Sequence, residues 1–307
     1  MMMRLFSSLG SSLALVGALA LGGCSSNNGN PVDSGTGTDT GTDAPAAVKV
    51  TVSGTASPHR LTPRLDPTAD FTQMLVAVVD PMTVIAHPLD PPLAGGPLDT
   101  TAANCPAATG CAWSFDNVDI SKITLGLVGI VDDARPAGSR KWVKTGTGAG
   151  ASSFILMVQQ NPVPITNRVL FAVSKASEGA LATFAAAFGP DSTVAPGVLE
   201  TRGFMLASIV GKLSEGAMPV AGATITTNDT RTNIIYPNAD FSGVGTSTAV
   251  HGTVLVVPKA PGDSGMTSSI VASWHITPPS GDARAWPDLT AGTSPGAAFV
   301  LLFAANE

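Results

Sequence analysis

The stretch AWSFDNVDISKITLGLVGIV, residues 112–131, decides the fold class. In its first part Trp113 and Phe115 alternate with Ser114 and Asp116, the period-2 signature of a half-buried strand. Residues 123–131 are more apolar and read as a better-covered strand. Upstream, VKVTVSG (48–54) alternates again and ends at a glycine, and QMLVAVVDP (73–81) is a strand stopped by Pro81. TVIA (83–86) is a third short run, followed by a long loop containing Pro88, Pro91 and Pro92. Together these stretches predict an antiparallel sandwich.

The second half repeats the plan. FMLASIVG (204–211), PVAGATIT (219–226), GTVLVVP (252–258), SIVASWHI (269–276) and AFVLLFA (298–304) all read as strands. Composition agrees with this reading. The 307-residue chain is 12% charged, against roughly 25% for an ordinary domain, and it carries 33 Gly and 24 Pro. Its acids are 18 Asp and only 4 Glu, so good helix formers are scarce, which argues against a bundle or coiled coil. A net charge of −6 without a basic cluster excludes nucleic acid as an expected partner.

One helix is predicted between the halves, at about residues 177–188. Ser177 serves as N-cap and Glu178 sits in the first turn. Leu181, Phe184, Ala185 and Phe188 form an apolar stripe, and Gly189-Pro190 is the stop. KWVK (141–144) and FILMV (154–158) are possible extra strands, and the Gly146–Gly150 stretch between them reads as a flexible turn. It is not a phosphate loop, because the terminal Gly-Lys-Ser/Thr is missing.

The N-terminus reads as an address. Arg4 precedes a charge-free run with a nine-residue apolar core, Leu13 to Leu21, far short of the about 20 residues a spanning helix needs. The tetrad Leu21-Gly22-Gly23-Cys24 resembles the lipobox of bacterial lipoproteins. That resemblance implies cleavage before Cys24, acylation of its thiol, and a lipid bilayer as partner through the acylated Cys24. Ser25 and Ser26 fit sorting to the outer membrane, on a face left open. Residues 24–46 are rich in Gly, Thr and Asp, can build no core, and are expected to form a disordered tether. Cys105 and Cys111 flank a loop with Pro106 and Gly110, and in an oxidising compartment such a pair reads as a disulfide. Two thiols without a neighbouring His or further Cys do not make a zinc set.

PVAGATITT (219–227), followed at a distance by TSTAVHGTVLVVP (246–258), resembles carboxypeptidase regulatory-like domains, which are small transthyretin-like β-sandwiches. The resemblance covers residues 203–258. The first half shares it loosely, through LVAVVDP and WSFDNVDISKITLGLVGIV.

Apparent active sites weigh little. Gly262-Asp263-Ser264-Gly265 looks like the nucleophile tetrad of trypsin-like proteases, with His87 and Asp132 or Asp133 in the right chain order. Pro88 and Met266 break that pattern, and Pro-Gly-Asp-Ser-Gly is ordinary turn chemistry. Gly292-Thr293-Ser294-Pro295-Gly296 fits a nucleophile elbow, but no His follows His275. His59, His87, His251 and His275 are scattered. Asp116, Asp119, Asp132 and Asp133 read as solvated sheet-edge acids rather than calcium ligands. Trp113, Trp142, Tyr236, Trp274 and Trp286 offer either a glycan-stacking platform or core filling.

The sequence therefore predicts a mainly β protein with two transthyretin-like or Ig-like β-sandwich modules and one spacer helix. The expected boundaries are a signal peptide (1–23), tether (24–46), first module (47–133), spacer (134–202) and second module (203–307). No enzyme activity, cofactor or metal is expected. The role expected is non-catalytic binding, adhesion or structure at the cell envelope, with a protein or glycan partner of unknown identity. Carbohydrate binding is the alternative and a serine hydrolase the remote one.

Overall fold

The computed structural model describes residues 47–62, 71–81, 90–101, 104–105, 110–260 and 269–306. Every stretch read as a strand falls within these residues except 83–86. The first half holds β1 (Lys49–Pro58), β2 (Met74–Val79), β3 (Ala94–Pro97), β4 (Cys111–Asp119), β5 (Gly126–Asp133), β6 (Trp142–Val143) and β7 (Thr145–Ala151). Helix α1 (Ser152–Gln160) and β8 (Ile165–Ser174) follow, then α2 (Lys175–Phe188) and α3 (Val198–Arg202). The second half is all strand: β9 (Phe204–Val210), β10 (Thr224–Thr227), β11 (Thr232–Pro237), β12 (Val244–Gly245), β13 (Thr253–Pro258), β14 (Ile270–Thr277), β15 (Leu289–Thr293) and β16 (Ala298–Ala304).

The protein is mainly β, as its sequence predicts. A nine-stranded sheet of order β12-β11-β13-β9-β16-β7-β5-β2-β3 is the spine. A four-stranded sheet, β4-β1-β8-β6, covers one end of it, and a three-stranded sheet, β10-β14-β15, covers the other. The first cover encloses a core that includes Val52, Met74, Val76, Trp113, Leu127, Trp142 and Leu170. The second encloses Met205, Ile209, Ile225, Val254, Ile270, Trp274 and Phe303.

The two sandwiches are not separate beads. Strand β16 pairs in parallel with β9 along its whole length, from Ala298↔Phe204 to Ala304↔Val210. On its other side it pairs in parallel with β7, through Ala298↔Thr145, Phe299↔Gly146 and Val300↔Thr147. A third core crosses the seam. It joins Val143 and Val173 to Leu181, Phe184 and Leu199 of the helices, and to Phe204, Leu206, Leu255, Ala298 and Val300 of the spine. Strand β9 is consequently buried at all seven positions. Phe204 and Leu206 face the helices, while Met205, Ala207 and Ile209 face the three-stranded sheet.

This arrangement corrects the expected spacer. Residues 134–202 supply β6, β7 and β8 as well as three helices, so each sheet of the first sandwich draws strands from them. The Gly146–Gly150 stretch is not a turn but part of β7, a central strand of the spine. Its small residues leave room for neighbours: a Cβ at Gly146 would meet the Phe299 ring at 2.8 Å. Its threonines tie the layers together, Phe171 N–H donating to Thr147 Oγ1 at 3.0 Å and Val173 N–H to Thr145 Oγ1 at 3.2 Å. Residues 154–158 form helix rather than strand, with Ile155 and Val158 buried in the first core.

The predicted helix is present as α2 but starts earlier. Ser174 is its N-cap, its Oγ accepting the Ser177 N–H at 3.0 Å, so Ser177 lies inside the first turn. The expected strand at 219–226 is also shorter, because Pro219 forms only a single bridge to Val210 and β10 begins at Thr224. Among the described residues no helix is long and apolar enough to cross a membrane.

Candidate functional site

Three residues singled out in the sequence, Cys24, His87 and Ser264, lie outside the described residues. The acids proposed to accompany the last two are occupied. The Asp133 side chain is fully buried at the end of β5. It accepts from the backbone N–H of Arg135 (3.0 Å), Lys141 (2.7 Å) and Trp142 (3.1 Å), and from the Arg135 guanidinium. Such a carboxylate fixes the 133–142 loop, and the hydrogen bonds that it accepts from the described residues come from Arg135, Lys141 and Trp142 rather than from a histidine. Beside it Asp132 lies 3.7 Å from Arg140. Burial pushes the Asp132 carboxyl up, against the pull of Arg140 and Lys144, and burial pulls the Lys144 ammonium down. Cations already neutralise this cluster, which disfavours calcium. Asp116 accepts from Thr51 Oγ1 and Asp119 from Ser121. Among the described residues no group of three potential metal ligands assembles.

Ser294 sits in the connection from β15 to β16, 3.1 Å from the Ser269 hydroxyl, with Gly296 at φ +81° completing the turn. The described histidines lie apart in role as well as in place. His59 is buried edge-on against Phe171, and desolvation, helped by Arg60, lowers its pKa to about 3. His251 is stacked on Phe241, contacts the Asn238 carbonyl through Nε2, and accepts the Thr253 N–H at Nδ1. His275 is exposed and pairs with Asp288 at 2.8 Å.

The glycan platform does not form. Trp113, Trp142 and Trp274 are buried, the last with its Nε1–H donated to the Ala291 carbonyl at 3.0 Å. Tyr236 spends its hydroxyl inside the second sandwich, accepting from Ile225 N–H and donating to Ile225 O. Trp286, like Tyr236, keeps partial exposure, and it lies beneath the Arg284 guanidinium. The disulfide does form: Cys105 is bonded to Cys111, where the edge strand β4 begins.

Sequence reasoning missed how the charges are used. Asp133-x-Arg135, Asp229-x-Arg231 and Asp282-x-Arg284 make the same clamp three times. In each the carboxylate accepts the backbone N–H two residues on and also binds that residue's guanidinium, an Asx turn locked by an ion pair. The spacing Asp-x-Arg was the available signal. Glu178 is buried and caps α3, accepting from Gly197, Leu199 and Glu200 N–H. Arg60 is used differently. Its guanidinium donates to Ser208 Oγ (3.1 Å), Thr253 Oγ1 (2.9 Å) and the His251 carbonyl. These three acceptors are hydroxyl and carbonyl oxygens rather than carboxylates.

No protein-family model and no curated protein matches the chain. Among solved structures it is similar to a minor pilin of Streptococcus agalactiae, at 11% identity over 83% of this chain and 95% of that one, with a TM-score of 0.24. The shaft pilin SpaA of Lactobacillus rhamnosus GG matches at 14% identity over 85% and 99%, with a TM-score of 0.20. The Bacillus anthracis TIE protein matches at 9% over 85% of this chain, with a TM-score of 0.21, and this chain spans only 35% of it. At these TM-scores the likenesses carry no argument about function.

Proposed function

We propose that the chain is an exported lipoprotein, anchored by acylated Cys24 in the cell envelope, whose folded body does non-catalytic binding, adhesive or structural work. The observation that carries this reading is the Leu21-Gly22-Gly23-Cys24 tetrad directly after a nine-residue apolar core. A single acyl chain gives only marginal membrane binding, so stable anchoring requires the multiple acylation that lipobox cysteines receive. The Cys105–Cys111 disulfide fits an oxidising compartment outside the cytoplasm. The body's use of its charges fits a scaffold. Asp133, Glu178, Asp229 and Asp282 are committed to holding loops and helix ends. Ser25 and Ser26 favour the outer membrane as the site of anchoring.

The test is detergent-phase partitioning of the native product and of a Cys24→Ala variant. The native protein is expected in the detergent phase and the variant in the aqueous phase. Equal partitioning of the two would overturn the lipoprotein reading.

A further inference from the structure

Helix α1 lies across one open end of the first sandwich. It starts where β7 ends, next to the first pair of β5, Gly126↔Ala151. It finishes at the facing sheet, where Gln159 Nε2 donates to the carbonyls of Ile120 (2.6 Å) and Ile123 (2.9 Å). Ile155 and Val158 point down into the core. On the opposite side of the helix, Leu156 and Met157 are 49% and 50% exposed, flanked by exposed Ser153 and Gln160. The nine residues of α1 carry no charge. At the same end Leu125 and Val163 are 47% and 46% exposed, and Pro162 and Pro164 are exposed beside Val163. Isolated exposed aliphatics are ordinary; four at one end of a sandwich, on an uncharged helix and its flanks, form a patch.

The chain outside the described body joins it at this end. Strand β1 begins here, at Lys49↔Asp119, and Ile120 N–H donates to the Val48 carbonyl. Ile120 is therefore held by Val48 through its N–H and by α1 through its C=O. Parallel β8 also starts at this end, so Val163 and Pro164 adjoin the entry point. Lys49 and Lys122 stand here with Asp119, and Arg168 lies over the Phe154 ring of α1. Among the described residues at this end, Lys49, Lys122 and Arg168 stand against Asp116 and Asp119.

We infer that the outward face of α1, led by Leu156 and Met157, rests on a lipid bilayer and orients the body on the membrane that holds the chain. This rests on the reading of Cys24 as the anchor. The segment between Cys24 and Ala47 would attach at the end that carries the patch, and its 22 residues, if they serve as the tether their sequence predicts, would reach roughly 25 Å. An anchor at that distance keeps the patch within constant reach of the surface. Each contact is weak alone, but it becomes an intramolecular event once the anchor is in place. Partial burial of Leu156, Met157, Leu125 and Val163 in the acyl boundary supplies the free energy, as for an interfacial helix. Lys49, Lys122 and Arg168 at the rim favour anionic headgroups.

The test separates docking from acylation. A chain beginning at Ser25 with an N-terminal hexahistidine is held on phosphatidylethanolamine/phosphatidylglycerol vesicles through nickel-chelating lipid. A Leu156→Cys variant carries an NBD label, and a Ser273→Cys variant labelled on the outer face of β14 is the control. Docking predicts a blue shift and at least a doubling of emission at position 156 on the vesicles, with no change at 273. The effect should be lost when Met157→Glu is added. A label at 156 that stays water-exposed on the vesicles overturns the inference. So does a shift that grows with protein concentration without vesicles, since a second copy then covers the face. Failure of the native chain to float with vesicles overturns the Cys24 reading alone.

Discussion

The two sandwiches share a plan and differ in how they are closed. In the second, β14 alternates buried and exposed along its whole length, with Ile270, Ala272, Trp274 and Ile276 inward and Val271, Ser273, His275 and Thr277 outward. It pairs antiparallel with both neighbours without a register shift. In the first, the cover is assembled from distant segments. Strand β1 runs antiparallel to β4 and parallel to β8, with a register shift on each side. A helix caps the end of the first sandwich, and a disulfide marks the edge of its cover. The second sandwich offers solvent a polar sheet face; the first offers an apolar helix face beside the chain's entry. The difference teaches that a sandwich closed by an uncharged helix shows an apolar face at that end, where a regular covering strand shows mainly Ser, His and Thr. Single apolar side chains such as Leu213, Met218, Val250 and Leu302 are exposed elsewhere, and three Asp-x-Arg pairs lock turns.

The strongest challenge to this comparison removes the largest core side chain from each half. Trp142→Ala in the first and Trp274→Ala in the second each delete a fully buried indole, and each should cost about 3–5 kcal/mol by urea unfolding. Because β16 and the helix-side core span both halves, each variant should unfold in one transition seen by every probe. Two separated transitions would mean that the halves are independent.

A matched pair of glycines sharpens the contrast in closure. A Cβ on Gly54 would stand 1.8 Å from the Arg168 carbonyl oxygen in the first cover, and one on Gly292 would stand 1.8 Å from the Ile270 carbonyl oxygen in the second. Both alanine variants should lose about 1–3 kcal/mol, as overpacked sites do. Gly54 lies in the irregular β1–β8 pairing, where the strands can shift further. Gly54→Ala should therefore be the milder of the two in a side-by-side denaturation series, and the reverse order would refute this account of the bulge.

Over the single pH unit in which it can be isolated, the smallest effect is one of pH. His59 is held neutral in the fold, with its pKa lowered to about 3 from an unfolded value near 6.5. The unfolded chain therefore binds the extra proton between those values. Stability is complete above pH 6.5 and falls as pH drops toward 3, by at most about 1.4 kcal/mol per unit. A His59→Gln variant should flatten that slope between about pH 6 and 5, above the ordinary aspartate range, with no change at about pH 8. An unaltered slope would remove His59 as its source.

Legibility followed the same division. Strands covered on one face showed themselves by alternation: β1, β4 and β14 stand close to their expected places. The apolar runs of β9 and β13 are equally visible, since strands buried on both faces read as continuous hydrophobic stretches, and β16 is visible by its apolar run although Leu302 is exposed. What stayed hidden is long-range or irregular. β8 is not legible because Asn167, at φ +59°, breaks its period of two next to the register shift opposite Val52 and Gly54. β7 reads as a turn because its glycines resemble one; their use, close packing beneath Phe299, exists only once β16 arrives from the far end of the chain. The disulfide was legible from six-residue spacing and compartment. The Asp-x-Arg clamps were written three times, but at this spacing the pattern signals a turn lock only when backbone and guanidinium are seen together.

The central claim is that β7 and β16 join two sandwiches into one cooperative body. Native-state hydrogen exchange, read by NMR across low urea, measures it at the joining strands. The account predicts that amides of β5, β7, β16 and β9 share one opening free energy, equal to that of global unfolding. Protection that persists in β9 and β16 while β5 and β7 exchange through a lower-energy opening would contradict it.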